Sequence, residues 1–224
     1  MFETLQLSDL NSKNCGVLRE SSSTRPTVWV VEENGVRAVV KDYSTNGFVY
    51  RNTIGRFLIW RESKAYSRLR GINNIPTFYH VIDSAALVIE EVQGKALASL
   101  TTGETIPKGF FQELRQLVEI VHGRGVAHCD LKASTNILLS HDGHPYIVDW
   151  AASISARECR FFPLNLVYER FLEDDFLGVV KLQLRHYQNS VSPEERARYY
   201  GRGRVEKIMR LIRDGLRAIL KKVA

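Results

Sequence analysis

The chain has 224 residues, enough to bury a full core as one domain or as two small lobes. Hydrophobic residues make up 44% of it, and neither a low-complexity tract nor an internal repeat is visible, which excludes a disordered or fibrous chain. The net charge of +6 is uneven, because residues 196–224 carry ten Lys and Arg against two acids, so only the tail is basic.

Residues 1–9 lack the basic segment and apolar run of a signal peptide, and no apolar stretch approaches the ~20 residues that span a bilayer. Cys15, Cys129 and Cys159 are an odd number without CxxC spacing, so neither a disulfide framework nor a zinc site is indicated. A cytoplasmic protein is the expectation. Residues 16–19 read as a first strand. Residues 27–33 and 36–43 flank Asn34-Gly35, a strong hairpin signal because both turn residues must take positive φ. Phe57, Trp60, Ala65, Tyr66 and Leu69 suggest a helix over 54–69 that stops at Gly71. Residues 77–82 and 86–90 read as two more strands, and Gln93-Gly94-Lys95 as a boundary between lobes. A second helix is expected from the apolar stripe Phe110, Leu114, Leu117, Ile120 and Val121, ending at Gly123-Arg124-Gly125. Short strands follow at 137–139 and 145–149 around Asp142-Gly143, then helices near 170–187 and 203–222. Strands first and helices later predict an α+β fold, with a sheet-based lobe over 1–93 and a mostly helical lobe over 94–224.

The chemistry-bearing stretch is His128-Cys129-Asp130-Leu131-Lys132-Ala133-Ser134-Thr135-Asn136, followed by Val148-Asp149-Trp150. It offers a candidate base, a candidate metal-binding amide and a candidate metal-binding carboxylate between strand and turn signals. Phosphoryl transfer needs such a set: one group takes the hydroxyl proton, while others hold the divalent cation that spreads the charge. A single HxD is common by chance. HxDxK followed by Asn, an apolar triplet and an Asp after a turn is far rarer.

A strand-end lysine, a helix acid, a linker, then H-x-D-x-K, Asn and an Asp-led tripeptide resembles the protein-kinase-like fold over about residues 15–185. Within it, the pattern resembles small bacterial lipopolysaccharide (Kdo and heptose) kinases, with RIO-type atypical kinases close behind. The resemblance implies a bilobal phosphotransferase that uses ATP and Mg²⁺. Lys41 would contact the nucleotide phosphates and Glu62 would orient its ammonium; alone, they also read as a solvated strand-end lysine and an exposed helix acid. The backbone C=O of Glu90 and N–H of Val92 would bond adenine, although a plain edge strand fits there too. Asp130 would accept or orient the acceptor's proton, and Lys132 would neutralise the γ-phosphate. Asn136 and Asp149 would hold Mg²⁺. His128 reads as structural. Asp175, in Asp174-Asp175-Phe176-Leu177-Gly178, would bond the catalytic-loop backbone, where a helix-dipole role for the two acids is the bland alternative.

Departures from the protein-kinase pattern narrow the expectation. No Gly-rich loop precedes Lys41; its place is taken by 20–26, with Ser22 and Ser23 as candidate phosphate contacts. Asp130 and Asn136 are six residues apart, one more than usual, so the loop must bulge or Thr135 must replace Asn136. Trp150-Ala151 replaces Phe-Gly, Cys129 replaces an arginine, and no activation-loop phosphosite is evident. These losses favour a lipopolysaccharide-type sugar hydroxyl as acceptor. A RIO-like serine/threonine protein kinase and a pseudokinase scaffold are the alternatives. The basic tail 196–224, with Val205, Ile208, Met209, Ile212 and Leu216 at helical spacing, reads either as a packed helix with a solvated face or as a peripheral contact with an anionic membrane. Its shortage of interleaved aromatics disfavours nucleic acid.

Overall fold

A computed structural model describes residues 2–101 and 104–201. Nearly all of the basic tail, including the helix expected at 203–222, lies outside the described residues. Two compact units divide the rest: residues 2–64 with 77–91, and residues 65–76 with 92–201.

The first unit is a five-stranded antiparallel sheet. Its strands are β1 (Asn14–Arg19), β2 (Thr27–Glu33), β3 (Val36–Asp42), β4 (Phe78–Ile82) and β5 (Ala86–Glu90), in the order β1-β2-β3-β5-β4. The β2–β3 turn is as expected, with φ of 52° at Asn34 and 77° at Gly35. That turn sets an unbroken register from Glu33↔Val36 to Thr27↔Asp42. Ala38 and Val40 point into a core with Leu5, Leu10, Val31, Ile82 and Val88. Strand alternation therefore turns Lys41 to the opposite face. The opening residues also belong to this core. Phe2 is fully buried with its ring 5.0 Å from Tyr79, and His80 Nε2 donates to Leu5 O at 3.1 Å. The short helix α1 (Leu10–Lys13) then leads into β1.

The next helix starts earlier than its periodicity predicts. Helix α2 (Phe48–Tyr50) runs through a π turn (Arg51–Gly55) into α3 (Arg56–Leu69). The wide turn shifts the phase of the apolar stripe, so the pattern becomes readable only beyond it. Gly55 permits the shift: a Cβ there would lie 3.0 Å from Tyr43 Cβ. Residues 56–64 of α3 belong to the first unit and 65–69 to the second.

The second unit is mainly helical. Helix α4 (Phe110–Gly123) buries Phe110, Phe111, Leu114, Leu117, Val118 and Val121 on one stripe. It ends where Gly125, at φ 71°, donates its N–H to His122 O. Strand β6 (Gly94–Ala96) joins β8 (Ile137–Ser140) and β9 (Pro145–Ile147) in the order β6-β8-β9. Gly94 is thus part of a strand, and a Cβ on it would collide with the Leu139 carbonyl. Two-residue strands β7 (Val126–Ala127) and β10 (Ile154–Ser155) pair with each other. Helix α5 (Leu164–His186) begins six residues before its expected start. Helix α6 (Pro193–Tyr200) was not expected, and Ser192 and Glu195 form its capping box. Arg115 on α4 ties these helices together, with Nη2 donating to Gln183 Oε1 at 2.6 Å and Nη1 2.7 Å from Glu195 Oε1.

Candidate functional site

In the first unit, Lys41 Nζ lies 2.6 Å from Glu62 Oε1. The side chains are 13% and 3% exposed, so neither is the solvated surface charge of the bland reading. A buried ammonium needs a counter-charge, and the carboxylate opposite supplies it. Strand alternation and the α3 turn carrying Glu62 together make the pair.

The serine-bearing loop is a closed turn. Ser22 N–H donates to Arg25 O at 3.1 Å, and the reverse bond is 3.4 Å. Asn46 Nδ2 donates to Ser22 O at 2.7 Å and Arg25 O at 3.0 Å, while the Tyr50 hydroxyl donates to Thr24 O at 2.9 Å. This backbone is held by side chains that the sequence reading did not single out. The Ser22 N–H is committed within the turn, and the Ser22 and Ser23 side chains are exposed. Glu90 closes β5 onto Thr77, with its N–H donating to Thr77 O and its carboxylate accepting from Thr77 N and Oγ1 at 2.9 and 2.7 Å. Val92 begins the second unit.

The second unit assembles the loop 128–136. His128 is fully buried, with Nδ1 accepting from Asp130 N at 3.3 Å, and Nε2–H donating to Val148 O at 3.0 Å. These two bonds fix one neutral tautomer and occupy both ring nitrogens, so His128 is structural. Its ring also packs 4.6 Å from Trp150. Trp150 therefore fills core space beside the loop, where Phe is the residue of the protein-kinase pattern.

Asn136 and Thr135, the two candidates for the amide position, differ in their surroundings. The Asn136 side chain is buried, and Nδ2 donates to Asp130 O at 3.1 Å and to Asp130 Oδ2 at 3.4 Å. Thr135 is exposed and donates to Asn136 Oδ1 at 3.2 Å. Asn136 is thus the side-chain amide that faces Asp130. Val148 N–H donates to Asn136 O at 3.0 Å, which brings Asp149 next to Asn136 across the β8–β9 ladder. Asp149 is exposed and left-handed, at φ 67° and ψ 68°.

Helix α5 braces this loop. Asp175, 1% exposed, accepts from His128 N at 2.7 Å and from Cys129 N at 2.9 Å. The His122 ring, on α4, donates Nε2–H to the same carboxylate at 3.1 Å. Cys129 sits at φ 68°, a conformation that costs a non-glycine residue about 1 kcal/mol. The Asp175 bonds to the Cys129 amide and to the His128 amide before it hold it there. A Cβ on Gly178 would lie 2.9 Å from Leu131 C and 3.0 Å from Lys132 N, so glycine allows the helix to touch the loop. Lys181 Nζ donates to Lys132 O at 3.1 Å, and Lys132 Nζ is 3.8 Å from Asp174 Oδ1. His122 and Lys181 were missed from sequence, and Gly178 was named there without this contact. The spacing of 174, 178 and 181 along one helix face was the signal available.

Among the described residues no cluster of three His, Cys, Asp or Glu side chains is positioned to hold a metal ion. A Mg²⁺ held by one carboxylate, one amide oxygen and phosphate oxygens needs no such cluster. Asn136 and Asp149 carry hard oxygens of that kind, and the Val148–Asn136 backbone bond brings their chain segments together.

A family model described as the RIO domain matches residues 36–194. The fold is similar to the Rio2 kinase of Chaetomium thermophilum at 16% identity. A structure of its ADP/Mg²⁺-phosphoaspartate complex gives a TM-score of 0.57 over 86% of this chain and 63% of that one. Another Rio2 kinase structure from that organism gives a TM-score of 0.58 over 86% and 65%. The chain thus spans less than two thirds of the Rio2 chains it resembles. No curated protein sequence matches it.

Proposed function

This chain belongs to the RIO domain family, and on that premise we propose that it is an ATP- and Mg²⁺-dependent phosphotransferase acting on a hydroxyl of protein serine or threonine. The observation that carries the reading is the Asn136 amide, which ties Asp130 to the strand end that bears Asp149. Asp130 orients the acceptor hydroxyl and takes its proton as the phosphoryl moves. Asn136 and Asp149 would hold Mg²⁺, which when bound neutralises charge on the phosphates. Lys41, held by Glu62, binds the α- and β-phosphates, and Lys132 offsets charge at the γ-phosphate. In-line transfer then asks for positioning and electrostatics with little covalent work from the protein. The Glu90 carbonyl and Val92 amide serve the adenine edge. The hydroxyls of Ser22 and Ser23 serve the phosphates, since the Ser22 amide is taken by Arg25.

The lipopolysaccharide-type sugar expected from sequence finds no support in the comparisons, and the RIO-like alternative takes its place. The Rio2 complex contains a phosphoaspartate, so an aspartate of the protein itself is the other acceptor worth testing. Labelled γ-phosphate from ATP, supplied with a casein-like protein or with extracted glycolipid, separates the readings. Base-labile, hydroxylamine-resistant label on protein supports serine or threonine transfer. Hydroxylamine-sensitive label on the chain itself supports an acyl phosphate, and label in glycolipid alone overturns the proposal. Binding of ATP without any transfer or turnover would mark a scaffold.

A further inference from the structure

The segment that carries Glu62 inward presents a different surface outward. Phe48 is 73% exposed, Val49 56%, Phe57 50% and Trp60 51%, all on α2 and α3 of the first unit. Large apolar groups gathered this way on one helical segment are uncommon on a soluble surface and mark an interaction site. Cations accompany them: Arg51 lies over the Phe48 ring at 5.5 Å, Arg61 over Phe57 at 5.7 Å and Lys64 over Trp60 at 4.7 Å. Arg56 is exposed beside Phe57. Glu62 is the one acid in residues 48–64, and its carboxylate is buried against Lys41.

We propose that this basic-aromatic face is a peripheral docking surface for an anionic lipid bilayer. Phe and Trp with Arg and Lys on one amphipathic stretch suit the headgroup boundary, where rings enter the acyl edge and cations meet phosphates. Charge complementarity chooses this occupant over the chain's own tail, since residues 196–224 are themselves strongly basic and would be repelled. The ring geometry chooses it over single-stranded nucleic acid. Base stacking is strongest on rings open on both faces, and three of these rings have a cation over one face. Ring edges and the Val49 side chain enter lipid without displacing those cations. The inference is independent of phosphoryl transfer, because neither the stripe nor its cations belong to the proposed catalytic set.

The test is co-sedimentation of the full chain with vesicles of phosphatidylcholine alone, and of phosphatidylcholine with about one third phosphatidylglycerol. Binding to the anionic vesicles only is expected. It should weaken roughly tenfold in an Arg56→Glu/Arg61→Glu variant and at least as much in Phe57→Glu/Trp60→Glu. Trp60 emission should shift to the blue on anionic vesicles, and that shift should vanish in Trp60→Phe, a variant gentle enough to keep the fold. Absence of vesicle binding overturns the proposal, as does binding that both double variants leave unchanged. Binding of a single-stranded oligonucleotide that depends on the same residues, without vesicle binding, would replace lipid by nucleic acid.

Discussion

Asp175 is the residue on which the loop depends most. Its carboxylate accepts from the backbone amides of His128 and of the left-handed Cys129. Asp175→Ala should cost about 3 kcal/mol, each unsatisfied amide contributing about 1–3 kcal/mol, read as a lowered denaturant midpoint. Phosphoryl transfer should fall further than stability alone explains. A variant with wild-type stability would contradict the hydrogen bonds described. The same scale separates Asn136 from Thr135. Asn136→Ala should abolish Mg²⁺-dependent transfer, whereas Thr135→Ala should keep most of it, in a titration of activity against Mg²⁺. Equal losses would mean that the exposed threonine shares the amide's role. Glu62→Gln removes the counter-charge of Lys41 and should destabilise the fold by about 3 kcal/mol, with the ATP-induced rise in melting temperature reduced.

At the scale of elements, helix α5 is the part that meets the loop most closely. Gly178→Ala places a methyl at the 2.9 Å approach to Leu131 and should cost about 1–3 kcal/mol by overpacking. Its transfer rate should drop while ATP still raises the melting temperature; an unchanged rate would mean that the loop yields freely. A pH effect belongs to the α4–β9 side of the second unit. His144 Nδ1 is 2.8 Å from Glu113 Oε2, and that hydrogen bond raises the His144 pKa above its ordinary 6.5. A raised folded-state value stabilises below the unfolded pKa, and the contribution is lost as pH rises through the folded one. Melting temperatures of wild type and His144→Gln should therefore differ at pH 5.5 and converge by pH 8. A gap that widens with pH would reverse the sign.

Much at this scale was legible in the sequence. The Asn34-Gly35 hairpin, the α4 stripe and the strand pair around residues 77–90 have local causes that composition displays. The Lys41–Glu62 pairing could be anticipated because no other acid lies between Tyr43 and Ile82. What escaped has long-range or very short causes. β7 and β10 hold two residues each and exist only because Ala127 pairs with Ile154 and Val126 with Ser155, far apart in the chain. The buried role of Phe2, Leu5 and Leu10 depends on a sheet that forms later in the chain. The π turn at 51–55 breaks the period by which helices are read. The capping box of α6, Ser192-Pro193-Glu194-Glu195, was a local signal in plain view and was overlooked.

At the scale of the whole molecule, RIO-domain membership and the kinase-like fold agree with a chain that departs from regulated protein kinases at several points. Cys129 leaves no arginine to read a phosphorylated loop, and Trp150 is locked against His128 by packing. The proposed phosphoryl transfer should therefore need no prior phosphorylation, read as equal transfer before and after phosphatase treatment. No described helix is long and apolar enough to cross a membrane. In the proposed function, residues 130–149 direct transfer of phosphate from ATP. The most direct measurement is release and transfer of labelled γ-phosphate by wild type, Asp130→Ala and Asp149→Ala with Mg²⁺, alongside ATP-induced shifts in melting temperature. Wild type should transfer label. Asp130→Ala should bind ATP as wild type does yet lose transfer by a factor of roughly a hundred or more, and Asp149→Ala should lose both transfer and the Mg²⁺-dependent part of the shift. Transfer at the wild-type rate in Asp130→Ala, or an ATP response indifferent to Asp149, would contradict it.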